Sequence, residues 1–150
     1  VVLGSGEWQY ESFFRELHDK YPDKVGVTIG FIPDLARKIY AGADLFLMPS
    51  KSEPCGLSQM VALRYGTVPI VRETGGLKDS ITDSGDGEGN GFTFQTYDAY
   101  DMLGAIYRGV EAYNNKDYWP TLVERALNCD MSWGKSANEY IKMYKSLLKD

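Results

Sequence analysis

Short apolar segments alternate with amphipathic ones along the chain of 150 residues. The apolar segments are rich in Val, Ile, Leu and Phe, a composition typical of strands. Strands are therefore predicted at 1–3, 24–31, 44–50, 67–71 and 92–94. Because the segment 44–50 is apolar without alternation up to Pro49, we expect that strand to be buried on both faces.

Helices are predicted where apolar residues recur at helical spacing between and after these strands. The predicted helical segments are 10–21, 33–43, 57–65, a short one within 75–83, and the chain from Asp98 onward. Three apolar stripes are expected to face the core, and they consist of Leu57, Met60 and Val61, then Leu103, Ile106, Tyr107 and Val110, and finally Trp133, Ala137, Tyr140, Ile141, Tyr144 and Leu148.

This alternation of strands and helices predicts an α/β fold, a Rossmann-like parallel sheet with helices on both faces. The length is sufficient for one core, so residues 1–150 are assigned to a single domain, with 98–150 as its C-terminal helical segment. Ligands of such sheets bind at the carboxyl ends of the strands. The loops at those ends are Gly4–Gly6, Gly30–Asp34, Ser50–Leu57 and Glu73–Leu77.

Charge and composition exclude several classes of function. The formal net charge of −5 argues against a nucleic-acid or anionic-membrane partner. The sequence holds no apolar run near the ~20 residues that span a bilayer. Cys55 and Cys129 are isolated, so neither a disulfide scaffold nor a zinc site follows, and a cytoplasmic location is expected. Because the chain opens inside an apolar strand, we expect a fragment of a longer protein.

Three other motifs have simpler explanations than catalysis or metal binding. Gly4-Ser5-Gly6 lacks the third glycine of a dinucleotide fingerprint, since that position is Gln9. The loop 83–91 is acidic, with Asp86 among its residues, but lacks the spacing of an EF-hand, so a mobile solvated loop is expected. His18 lies in a predicted helix, and nothing in the sequence orients it toward Cys55 as a thiol–imidazole pair.

The loop Glu53-Pro54-Cys55-Gly56-Leu57-Ser58 stands out because it places an acid directly before a helix. The first amides of a helix are unpaired donors that suit a phosphate. A carboxylate beside them would repel an anion unless the ligand also carries an uncharged, hydroxyl-rich end. A nucleotide-sugar has both parts, with a diphosphate for the amides and a sugar for Glu53.

The sequence "PSKSEPCGLSQMVALRYGTVPIVRETGGLKD" resembles the bacterial glycogen synthase and plant starch synthase family very closely. The stretches "VGVTIGF", "AGADLFLMPS" and "MSWGKSANEYIKMY" are similar to the same family, so that the resemblance covers nearly all 150 residues. Related glycosyltransferases carry a second Glu where this sequence has Val61, and glycogen synthases are similar in lacking it.

The resemblance implies the C-terminal, donor-binding domain of a two-domain GT-B enzyme. Such enzymes transfer glucose from ADP-glucose to the non-reducing end of an α-1,4-glucan with retention and without a metal or other cofactor. It implies that Glu53 is catalytic, holding sugar hydroxyls and stabilising the transition state. It assigns the remaining substrate contacts to Cys55, Gly56, Leu57, Ser58, Phe31, Thr74, Gly75 and Gly76, with Phe31 stacking on adenine.

The resemblance also implies partners in the same protein. The family's N-terminal domain and an Arg/Lys pair that clamps the diphosphate would lie upstream, so the 150 residues alone are expected to be inactive. The location would be cytoplasmic in a bacterium or plastidic in a plant. Two alternatives stay open, a non-catalytic nucleotide- or glucan-binding module and another GT-B enzyme such as a sucrose or trehalose synthase relative. The sequence does not distinguish ADP-glucose from UDP-glucose.

Overall fold

The computed structural model describes residues 1–148, apart from the side chain of Asp86. The chain forms two compact units, of which the first spans Val1–Ala43 and the second begins at Asp44. The assignment of 1–150 to one domain stays a prediction. Residues 149 and 150 of the predicted helical segment lie outside the described residues, as does the Asp86 side chain of the acidic loop.

The first unit contains two parallel strands and two helices. Its elements are β1 (Val2–Gly4), α1 (Trp8–Lys20), β2 (Val27–Ile29) and α2 (Pro33–Gly42). Val2 lies opposite Val27 and Gly4 opposite Ile29. Proline suits the first turn of α2 because the amide that it lacks would have no partner there. The His18 ring contacts the carbonyl of Val25, which gives this histidine a structural role.

The second unit is built on a parallel sheet in the order β3–β4–β5. The strands are β3 (Leu45–Met48), β4 (Val68–Arg72) and β5 (Phe92–Phe94). The helices are α3 (Ser58–Arg64), α4 (Gly76–Ser80), α5 (Ala99–Asn114), α6 (Trp119–Asn128) and α7 (Trp133–Leu147). The central strand β4 is buried from Val68 to Val71, as expected of a parallel strand with neighbours on both sides.

Helices cover both faces of this sheet. Ile70 belongs to one buried cluster, in which α5 contributes Ala105. Val71 belongs to the other, in which α3 contributes Leu63 and α4 contributes Leu77. Successive residues of a strand point to opposite faces, so α5 lies on one face and α3 and α4 lie on the other. The predicted parallel α/β architecture is confirmed.

The stripe predicted for the helix after β3 is wrong. Its buried residues are Gln59, Ala62 and Leu63, whereas Leu57 is 69% exposed and precedes α3, and Val61 is 36% exposed. Helical spacing alone allows either the predicted or the observed set of residues to face inward. The prediction chose the wrong set because Leu57 is apolar. A buried polar residue takes that position because its amide group finds partners, as described below.

The two later stripes are also wrong in large part. In α5, Leu103, Tyr107 and Val110 are exposed, while Ala105, Gly109 and Ala112 are buried. Small residues face the sheet because α5 approaches it closely, and a Cβ on Gly109 would lie 3.0 Å from Cδ1 of Ile70. In α7 none of the described residues is buried, so the third stripe is solvent-exposed among the residues that the structure describes.

Two smaller expectations are corrected at the edges of this unit. Leu47 is 41% exposed, so β3 is not buried on both faces, and among the described strands β3 pairs only with β4. The loop 83–91 contains a short 3-10 helix, Ser84–Asp86, and is fixed by Asn90, which accepts from the amide of Thr82. Within residues 1–148, no helix is long and apolar enough to cross a membrane.

Candidate functional site

The loops that follow β3 and β4 are in direct backbone contact. The amide of Gly76 donates to the carbonyl of Glu53 at 3.2 Å. A Cβ on Gly75 would lie 2.0 Å from the Glu53 carbonyl oxygen, and one on Gly76 would lie 2.1 Å from that of Cys55. The two glycines are therefore required for the approach of one loop to the other, and the Gly76 amide already has a partner.

Three consecutive amides at the start of α3 have no acceptor among residues 1–148. They belong to Gly56, Leu57 and Ser58, and no side chain caps the helix. Gly56 has a φ of 73°, and Leu57 follows it in the right-handed helical region. Successive amides in such a turn form a concave set of donors suited to an anion. Because α3 has only seven residues, these donors matter more than the helix dipole.

Gln59 organises this loop from within. It is fully buried, and its Nε2 donates to the carbonyls of Gly56 at 2.8 Å and Cys55 at 3.2 Å and to Oγ of Ser80 at 3.1 Å. Its Oε1 is buried with no partner in the described structure, which carries a cost of about 1–3 kcal/mol. Sequence reasoning missed Gln59, although a polar residue in the first turn of a helix beside a glycine loop was the available signal.

The side chains of the loop are free to meet a ligand. Glu53 is half-buried, and its carboxylate has no hydrogen bond or ion pair in the described part of the chain. Cys55 is exposed, and its Sγ makes only a weak contact with the carbonyl of Gly56 at 3.7 Å. Thr74 is half-buried in the adjoining loop. The residues predicted from 53–58 and 74–76 are thus brought together, and their roles stay predictions.

Phe31 belongs to the first unit, where it follows β2. It is 90% exposed and follows Gly30, whose φ of 144° favours glycine. An exposed aromatic ring at the carboxyl end of β2 is available for stacking on a ligand ring. The adenine contact that the resemblance implies for Phe31 stays a prediction.

Arg72 supports the base of the loop after β3. Its NH1 donates to the carbonyl of Lys51 at 2.8 Å and lies 3.5 Å from that of Ser50. Its guanidinium lies 5.7 Å from the ring centre of Tyr97, a cation–π arrangement. These contacts hold Arg72 against the protein, so it is a structural residue here. Lys78, another basic residue near this loop, is exposed.

The two described cavities lie elsewhere in the second unit. One of about 540 Å³ is lined mainly by α6 and the loop near Asn90, and one of about 360 Å³ surrounds Asp83 and Arg108. Burial opposes the ionisation of Asp83, but bonds from the Thr93 and Gly85 amides and from Arg108 outweigh it and hold the pKa of that carboxyl below its usual value. This cluster joins β5 to α5 and is structural, and the loop at Glu53 is an open surface.

Known proteins resemble this chain throughout its length. Residues 1–119 match the family described as glycosyl transferases group 1. Over 99% of its length the chain is 54% identical to a glycogen synthase of Bacillus cereus and 56% identical to one of Geobacillus thermodenitrificans. It covers 32% and 31% of those proteins, respectively, so it spans about a third of the length of these curated relatives.

A solved structure shows the same fold. The catalytic domain of starch synthase IV from Arabidopsis thaliana, bound to ADP and acarbose, matches with a TM-score of 0.81 and 38% identity. The match covers 95% of this chain and 31% of that one. The resemblance to glycogen and starch synthases inferred from the motif around Glu53 is thereby confirmed. The chain belongs to the family of glycosyl transferases group 1.

Proposed function

We propose that this chain supplies the donor-binding part of a glycogen or starch synthase. The complete enzyme transfers glucose from ADP-glucose to the non-reducing end of an α-1,4-glucan and retains the α configuration. One observation carries the proposal: in a single loop, the carboxylate of Glu53 and the amides of Gly56, Leu57 and Ser58 all have no partner among residues 1–148. The similarity to glycogen synthases supports the choice of substrate class.

The two parts of the loop divide the donor between them. The amides bind the diphosphate, because backbone donors stabilise the negative charge of the leaving group. Glu53 accepts hydrogen bonds from sugar hydroxyls and stabilises the positive charge that develops on the sugar ring in an oxocarbenium-like transition state. Cys55 and Thr74 line the sugar side, where Gly75 and Gly76 hold the two loops in contact, and the resemblance implies that Phe31 stacks on the adenine.

The proposed reaction needs no divalent metal, because fixed backbone donors and the basic side chains that the resemblance implies upstream stabilise the charge of the leaving group. The α-1,4-glucan acceptor and a further domain of the same enzyme are the partners, and the working location is the cytoplasm of a bacterium or the plastid of a plant. Activity that persists unchanged in excess EDTA is the expected result, and activity that requires added Mg²⁺ would contradict this part of the proposal.

The decisive experiment compares wild type with Glu53→Gln in the complete protein. ADP, ADP-glucose and UDP-glucose are titrated by calorimetry, and glucose transfer to glycogen is measured. We expect Glu53→Gln to lower kcat by at least about 10²-fold, the scale for losing one electrostatic contact to the transition state, with ADP affinity nearly unchanged. Glu111→Gln, an exposed acid on α5, serves as the matched control and should behave as wild type.

Three other outcomes would change the assignment. An equal loss of ADP affinity and turnover in Glu53→Gln would remove Glu53 from the sugar site. Binding of ADP or glucan by the complete wild-type protein without any transfer would indicate a non-catalytic binding module. Preferential turnover of UDP-glucose would indicate a different nucleotide-sugar enzyme with the same architecture.

A further inference from the structure

Gln59 is completely buried, and the two N–H groups of its amide nitrogen are shared among three acceptors. Two of the acceptors are the successive carbonyls of Cys55 and Gly56, and the third is Oγ of Ser80. Buried polar side chains usually satisfy all of their atoms, yet Oε1 of Gln59 has no partner in the described structure. The side chain is therefore oriented by what its NH₂ group donates to.

Because the peptide group is planar, these contacts also determine the direction of the amides on the opposite side of the loop. In a trans peptide the C=O and the N–H of the same plane point in opposite directions. The Cys55 carbonyl shares its plane with the Gly56 amide, and the Gly56 carbonyl shares its plane with the Leu57 amide. Because both carbonyls point toward Gln59, both amides point away from it, and neither donates to any described residue.

We propose that Gln59 is a positioning residue that fixes these two peptide planes so that the Gly56 and Leu57 amides face the diphosphate of the donor. The inference rests on the proposed function, since it concerns the same amides. Gln59 touches no substrate itself and acts through the loop backbone. Only the NH₂ group of the side chain can fill this role. If the amide were flipped, Oε1 would face the two carbonyl oxygens, and each carbonyl would lose its hydrogen-bond donor.

A series of hydrogen bonds also connects Gln59 to the loop that follows β4. Ser80 Oγ accepts from Gln59 and donates to the carbonyl of Gly76 at 2.6 Å. The amide of Gly76 in turn donates to the carbonyl of Glu53. Gln59 thus connects both ends of the loop that carries Glu53 through one series of hydrogen bonds, and a change at this residue reaches the amides and the backbone of Glu53 together.

Gly56 is matched to Gln59 by space as well as by hydrogen bonding. A Cβ on Gly56 would lie 2.6 Å from Oε1 of Gln59, and its φ of 73° is itself unfavourable for other residues. The buried amide therefore fits against a residue without a side chain. This pairing explains why a glycine and a glutamine occur three positions apart at the start of α3.

The test uses Gln59→Met in the complete protein, because methionine keeps the length and volume but removes the donor. We expect the KM for ADP-glucose and the inhibition constant of ADP to rise together by about tenfold or more, since each lost charge-assisted hydrogen bond is worth about one order of magnitude. The KM for glycogen should stay at the wild-type value. A merely structural role would reduce the active fraction and kcat without changing these constants.

Leu63→Val is the matched control for lost stability. Leu63 is buried in the same helix but contacts the core rather than the loop. We expect a lower melting temperature with unchanged KM for ADP-glucose. The positioning role is wrong if Gln59→Met binds ADP as wild type does. It is also wrong if Leu63→Val, with the same melting temperature as Gln59→Met, loses as much ADP affinity.

A second variant and a measurement on wild type keep the test independent of folding. In Gln59→Glu the ionised carboxylate repels both carbonyls, whereas the protonated form donates one bond. Its ADP affinity relative to Gln59→Met should therefore rise as the pH falls, and a constant ratio would contradict the inference. In wild type, ADP should slow hydrogen exchange at the Gly56 and Leu57 amides, and unchanged exchange would overturn it.

The proposed function and this inference fail in different ways. Wild type that binds neither ADP nor ADP-glucose would remove the proposed function and with it the basis for a role of Gln59. Wild type that binds both, together with Gln59→Met that binds both equally well, would remove only the positioning role.

Discussion

Replacement of Gly76 by alanine should separate the two loops of the candidate site. The new Cβ would lie 2.1 Å from the carbonyl oxygen and 2.5 Å from the Cα of Cys55. Both are backbone atoms, so no side chain can rotate away to relieve the overlap. The loop that carries Glu53 and Cys55 must therefore retreat by more than about 1 Å to reach ordinary van der Waals contact.

The expected cost follows from two effects. Overpacking of a close contact costs about 1–3 kcal/mol. Loss of the bond from the Gly76 amide to the Glu53 carbonyl adds about 0.5–1.5 kcal/mol. Together they predict that Gly76→Ala lowers the free energy of unfolding by about 2–4 kcal/mol. Gly87→Ala is the control, because Gly87 has a φ of 86° but nothing within 4 Å of its Cβ, so only the left-handed conformation costs about 1–2 kcal/mol.

The assay is urea unfolding of the complete protein, combined with ADP titration under native conditions. Gly76→Ala should show the larger loss of stability and a clear loss of ADP affinity, because the displaced loop also carries the free amides. Gly87→Ala should bind ADP as wild type does. Equal unfolding free energies for the two variants, or unchanged ADP affinity in Gly76→Ala, would refute the contact between the loops.

Three further changes test the second unit away from the loop. Asp83→Asn should lower the free energy of unfolding by about 1–3 kcal/mol at neutral pH through its lost hydrogen bonds. Because the folded pKa of Asp83 is lowered, the advantage of wild type should be constant above about pH 5, fall below about pH 4 and be lost only as the pH passes through the lowered folded pKa in acid unfolding, whereas a pH-independent difference would contradict this. Leu122→Ala should lower the free energy of urea unfolding by about 2–5 kcal/mol because Leu122 is fully buried. Leu103→Ala should lower it much less, because Leu103 is 38% exposed. Gly104→Ala should raise the unfolding free energy by about 0.5–1 kcal/mol, since its Cβ meets nothing within 4 Å in the middle of α5, and a loss of stability would show an unrecognised contact.

The order and type of the elements could be predicted because they depend on local sequence. The strand at 67–71 is apolar and β-branched, and the structure has β4 one residue further on. Gly66 ends the preceding helix with a φ of 77°, as glycine does at a helix C-terminus. The loops predicted to adjoin at Glu53 and Gly76 do so because parallel strands end at the same edge of a sheet.

The inward faces of the helices could not be predicted because they depend on distant partners. At α3, Gln59 is buried because its amide donates to Ser80 Oγ in α4 as well as to the carbonyls of the preceding loop, and helical periodicity does not contain that information. At α5, Gly109 faces the sheet because the helix lies close to Ile70. The apolar pattern of α5 predicts Tyr107 within the inward stripe, but Tyr107 is 65% exposed. The sugar contact of Glu53 was inferred from the loop sequence, whereas its catalytic role came from the resemblance.

The shape of the loop between Glu53 and Leu57 is maintained by a buried side chain and a neighbouring glycine, rather than by its own outward side chains. Cys55 and Leu57 are exposed and contribute little to that shape. Substitutions at these two positions should therefore preserve the shape of the loop, while replacement of Gly56 or Gln59 should displace its amides. Redesign of sugar or nucleotide preference can begin at Cys55 and Leu57 with little risk to folding.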